Sequence, residues 1–103
     1  MTLYSKPSSI GISFQKYINH INNLLDQKQF DEVLVQTFEF VDTFKENPSV
    51  AKVIFEIGVI FEVLGKNKEA IEIFKKAIEI KPKYSDAYGN LGVVYKKINN
   101  LEE

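Results

Sequence analysis

The stretch Ala51–Tyr84, AKVIFEIGVIFEVLGKNKEAIEIFKKAIEIKPKY, decides what kind of fold this chain adopts. Ile57, Gly58 and Phe61 define one face of a helix that starts near Ser49. Gly65 stops it, because glycine accepts the left-handed conformation in which helices commonly end. A second helix runs from about Asn67 to Ile80, and Pro82 prevents it from continuing. Gly58 on the first helix and Ala70 and Ala77 on the second are small, so the two backbones can approach closely. Phe61 and Phe74 are large and fill the space between that pair and its neighbour.

The pattern then recurs at an offset of 34 residues: Ile54, Ile57, Gly58, Val59 and Phe61 return as Tyr88, Leu91, Gly92, Val93 and Tyr95, and Glu69 returns as Glu103. A further helix therefore starts after Ser85 and is expected to end near Asn99-Asn100, with Asn99–Glu103 as the turn opening the next one. Upstream, Phe14, Tyr17, Ile18, Ile21, Leu24 and Leu25 mark one face of a helix that Ser13 caps. Gln27-Lys28-Gln29 breaks that pattern. Val33, Leu34, Thr37, Phe38, Val41 and Phe44 mark the following helix, expected to last until Asn47-Pro48, since the residue before proline is pushed out of the α region. No segment alternates with period two. These patterns predict an all-α chain of about five helices, with short connections and antiparallel neighbours.

A helix–turn–helix period of about 34 residues is that of the tetratricopeptide repeat, and Ala51–Tyr84 closely resembles that family. Ile54 stands where the family often has Trp, Ile57-Gly58 stands for Leu-Gly and Phe61 for Tyr, while Ala70, Phe74, Ala77 and Pro82 sit at the family's positions. Over 14–50 the resemblance is weaker: His20 and Ile21 replace Leu-Gly, and Val33 and Phe40 replace the two small alanines. The resemblance implies helix–turn–helix repeats stacked into a short right-handed α-solenoid. Its parts would be an N-terminal extension at 1–13, a degenerate repeat or capping helical hairpin at 14–50, a full repeat at 51–84 and the first helix of an incomplete repeat at 85–103. Helical repeats bury their faces by stacking, and roughly three are normally needed. The chain is thus expected to be a fragment of a longer array, or a short protein that hides its last edge by self-association or domain swapping. Leu91, Val94, Tyr95 and Ile98 would form that edge.

Composition excludes several function classes. Among 103 residues there is no Cys, one His and no Arg, with 13 Lys against 14 Asp+Glu for a net charge of −1. Thiol catalysis, thiolate metal sites and disulfides are absent for want of Cys. A near-neutral chain without the arginine fork has a weak case for nucleic acid. The most apolar window, Val53–Leu64, contains Glu56 and Glu62 and falls short of the roughly 18 residues of a membrane span. A cytoplasmic protein is expected. The lone His20 has no second His to share a metal and no telling Ser or Asp for a triad, so it is expected to be a half-buried packing residue. Gly58 and Gly92 lie within helices, outside any phosphate-cradling loop, and are expected to serve packing. The lysines at 66, 68, 75, 76, 81 and 83 are interleaved with Glu69, Glu72 and Glu79, as on a solvated helix face. No enzyme and no cofactor are predicted.

What remains is binding. In tetratricopeptide proteins the first helix of each repeat lines an inner, concave wall. Carried over, the resemblance implies a peptide-binding groove from Ile18, Asn22 and Leu25, then Lys52, Phe55, Val59, Glu62 and Val63, then Gly89, Asn90, Val93 and Lys96. Phe55 and Val59 lie off the face that Ile57, Gly58 and Phe61 define, so either a partner or neighbouring helices must cover them. Some family members clamp a C-terminal carboxylate with Lys, Asn and Arg. Here Ile18, Glu56 and Asp86 occupy three of those positions, leaving Asn22 and Asn90 as the matches. An apolar or amphipathic peptide suits this groove better. The expected function is a protein–protein interaction scaffold, with a structural homo-oligomer and the repeat region of a larger enzyme as alternatives.

Overall fold

A computed structural model describes the backbone of residues 13–102 and the side chains of 13–99; the extension before Ser13, and the Glu103 that repeats Glu69, lie outside the described residues. Five helices follow in order: α1 (Phe14–Asp26), α2 (Phe30–Thr43), α3 (Val50–Val63), α4 (Asn67–Ile80) and α5 (Ser85–Glu102). The described residues contain no strand. They form an all-α helical-repeat arrangement in two compact units that divide between Asn47 and Pro48.

In the first unit α1 packs on α2. Ser13 caps α1, its Oγ accepting from the Lys16 amide at 3.1 Å. Lys28 takes a left-handed φ of 60°. That lets the Gln29 amide donate back to Leu24 O and the Lys28 amide to Leu25 O, both at 3.0 Å, satisfying carbonyls the helix end leaves open. Where the full repeat has small residues, this hairpin is built around rings. Phe14, Tyr17, Phe40 and Phe44 form a cluster with centroids 5.1–5.8 Å apart, two of the contacts edge-on. The second helix ends at Thr43, earlier than the expected Asn47-Pro48. Proline already requires Asn47 to be non-helical, and the chain meets that requirement with a turn in which the Asn47 amide donates to Phe44 O at 2.8 Å.

Tyr17 gives this unit a pH signature. Its ring is buried and its hydroxyl donates to Glu39 Oε1 at 3.4 Å. Burial first, and the adjacent Glu39 charge second, push its pKa up from 10.0 to about 12. The unfolded chain therefore ionises Tyr17 before the folded chain does. Stability from this group is fully present below pH 10 and is lost as the pH rises towards about 12. Tyr17→Phe is expected to remove roughly 2 kcal/mol of that alkaline loss, read as a flatter dependence of urea midpoint on pH.

In the second unit α4 packs against both α3 and α5, and α3 also touches α5. Gly65, at φ 80°, ends α3 as expected, its amide donating to Glu62 O while the Lys66 amide donates to Phe61 O, both at 2.9 Å. Ile54, Phe61, Ala70, Ile73, Phe74 and Ala77 are fully buried, forming the core. Gly58 lies against the Phe74 ring so closely that a Cβ there would stand 2.6 Å from Phe74 Cε1. Pro82 keeps residues 81–84 out of helix, and the Tyr84 amide donates to Lys81 O at 3.0 Å before α5 begins.

Three expectations are corrected here. Helix α5 runs unbroken to Glu102, so Asn99-Asn100 opens no turn within it; neither proline nor glycine interrupts its hydrogen-bond ladder there. Val94 is fully buried and so belongs to the packing of the unit rather than to an exposed edge. His20 is exposed, on the solvent side of the α1 stripe and not half-buried at its border.

Candidate functional site

The inner positions of α3 and α5 come together through one carboxylate. Glu62 Oε1 accepts from Asn90 Nδ2 at 3.2 Å, and Glu62 Oε2 pairs with Lys97 Nζ at 3.2 Å. The Glu62 side chain keeps only 12% of its exposure, whereas Lys97 keeps 48%, so the lysine reaches in from solvent to a carboxylate held between the helices. These partners lie 28 and 35 residues from Glu62, on either side of the repeat length. Carried over from the family, the inner wall of α5 includes Lys97 beside Lys96, but the links from Glu62 to Asn90 and Lys97 were not foreseen. Glu62→Ala is expected to cost about 1 kcal/mol. It should also reduce the salt dependence of stability, measured by urea unfolding at two ionic strengths.

Around this link the wall is apolar. Val63 is 77% exposed and Val93 49%, large values for valine side chains on helices whose other faces are packed. Val59 is half-buried, Lys52, Gly89 and Lys96 are exposed, and a Cβ at Gly89 would meet no described atom within 4 Å. Phe55 is spoken for within the unit. Its ring lies 5.7 Å from that of Phe74 and 5.2 Å from that of Tyr84, and Lys81 Nζ sits 4.6 Å over the Tyr84 ring. Burial, with Asp86 and Glu56 nearby, raises the Tyr84 pKa. Neighbouring side chains thus cover much of Phe55, while Val63 and Val93 face water. In the first unit, Ile18 and Leu25 are half-buried on α1 and Asn22 is exposed.

Chemistry-bearing clusters are sparse. Among the described residues no group of three or more His, Cys, Asp or Glu could hold a metal ion, and no helix is long and apolar enough to cross a membrane. Lys76 pairs with Glu79 at 3.0 Å on an exposed face, as suits solvated lysines.

Comparison with known proteins points the same way as the geometry. Residues 58–99 match a family model described as TPR repeat, the tetratricopeptide repeat. A TPR repeat-containing protein of Dictyostelium discoideum is 31% identical over 62 residues, which is 60% of this chain and 24% of that protein. The chain thus spans about a quarter of the length of that relative. Together with the close Gly58–Phe74 packing of α3 on α4, these two matches support assignment of the chain to the tetratricopeptide repeat family.

Proposed function

We propose that this chain is a protein–protein interaction scaffold whose α3–α5 wall binds an apolar or amphipathic peptide segment. Tetratricopeptide repeats generally mediate protein–protein interaction, and the family is generally non-catalytic. The observation that supports the finer reading is the Glu62 link, which holds the inner stripes of α3 and α5 side by side. Val59, Val63 and Val93 then offer apolar surface around a tied polar centre. A peptide with apolar side chains at helical or extended spacing would remove that surface from water. Lys52 and Lys96, both exposed, favour acidic residues at the ends of such a peptide. The test is binding of a peptide selected from an amphipathic library, compared between this chain and its Val63→Glu, Val93→Glu variant. Equal affinity for both would remove the wall from the function.

A further inference from the structure

The two hairpins follow one backbone plan, 37 residues apart. Lys28 and Gly65 both take a left-handed φ, of 60° and 80°. The next amide donates back to an equivalent carbonyl in each, Gln29 to Leu24 O at 3.0 Å and Lys66 to Phe61 O at 2.9 Å. Helix α2, Phe30–Thr43, and helix α4, Asn67–Ile80, then start and stop at equivalent residues. Buried positions coincide as well. Tyr17, Ile21 and Leu24 are buried on α1, with Val33, Thr37 and Phe40 on α2. Their equivalents Ile54, Gly58, Phe61, Ala70, Phe74 and Ala77 are all buried too.

Within that shared plan the sizes are reversed. In the second unit a glycine on the first helix receives a phenylalanine ring from the second, which also carries Ala70 and Ala77. In the first unit Ile21 holds the glycine's position and Thr37 the ring's, while Val33 and Phe40 replace the alanines. The α1 and α2 backbones accordingly run close together over a shorter stretch than those of α3 and α4. Thr37 is fully buried, and its hydroxyl has no hydrogen-bond partner among the described residues. Size rather than polarity therefore accounts for a threonine there. We propose that 14–47 is a repeat on the plan of 51–84 in which the large and small partners have changed helices. The exchange is a steric key that fits each second helix to its own first helix. Laid on α1, α4 would set Phe74 against Ile21, and α2 laid on α3 would leave a void between Thr37 and Gly58. Repeat proteins misassemble by such swaps, and the reversal disfavours both of them.

The test is a double-mutant cycle in the intact chain, read as melting temperature, with amide hydrogen exchange to locate the change. Ile21→Gly removes as many heavy atoms as Thr37→Phe adds. Thr37→Phe is expected to lower the melting temperature of the parent chain by roughly 5–15 °C through overpacking. In the Ile21→Gly background the same substitution should raise it, because the ring fills the cavity that the first change opens. Exchange should quicken on α1 and α2 in each single variant and slow again in the pair. A Thr37→Phe that lowers the melting temperature in both backgrounds overturns the proposal. Ile21→Val with Thr37→Leu repeats the cycle with changes small enough to leave the hairpin folded. Effects that offset each other there support the exchange, and effects that simply add contradict it.

Discussion

Gly58→Leu is expected to lower the melting temperature by roughly 10–20 °C, the equivalent of about 2–3 kcal/mol in a domain of this size. Two effects oppose each other at this position. Glycine within a helix costs about 1 kcal/mol relative to alanine, so propensity alone predicts that any side chain at 58 would stabilise α3. Packing predicts the reverse, since an added Cβ would stand 2.6, 2.9 and 3.2 Å from three atoms of the Phe74 ring. The ring has no room to retreat. Phe74 is fully buried, with the Phe55 ring tilted against it at 5.7 Å between centroids. Overpacking therefore wins, and Gly58→Ala should also destabilise, by a smaller amount. Gly92→Ala provides the control: the same residue type in the same register, where an added Cβ would meet no described atom within 4 Å, should stabilise by about 0.5–1 kcal/mol. Combining Gly58→Ala with Phe74→Leu should recover part of the loss, giving a coupling energy in a double-mutant cycle.

The second large effect falls on binding. Val63→Glu, Val93→Glu is expected to weaken a wall-selected peptide about 30-fold or more, since buried anchors at an interface are commonly worth 2 kcal/mol or above. Its stability should hardly change, because both valines are largely exposed in the free chain. That contrast is what makes the pair informative. Phe55 would be a poor choice for the same purpose: its ring contacts Phe74 and Tyr84, so a charge there would damage the core and confuse folding with recognition.

Much of this was legible in the sequence because small and punctuating residues carry it. Gly65 and Pro82 mark where α3 and α4 stop, and Gly58, Ala70 and Ala77 announce a close helix pair whatever the surrounding side chains are. The first hairpin was harder to read for a matching reason. Its close packing comes from rings, whose arrangement depends on three dimensions rather than on spacing, and Lys28 does with a non-glycine residue what Gly65 does with glycine. The end of α2 was misplaced because proline limits where a helix can end without requiring that it continue so far. At the binding wall, residue type alone could not separate Phe55 from Val63. Both are apolar and off the core face, and only the turn at Tyr84 folds a ring over one of them. Glu62 was legible as an inner position, but its bonds to Asn90 and Lys97 depend on the stagger of α3 against α5.

The most direct test of the proposed wall is a ¹⁵N NMR titration of the intact chain with the library-selected peptide. Shifts concentrated at Val59, Glu62, Val63, Asn90 and Val93, with Glu62 and Asn90 responding together, are the predicted result. Shifts confined to α2, or to Tyr88, Gly92 and Tyr95 on the other side of α5, would contradict it.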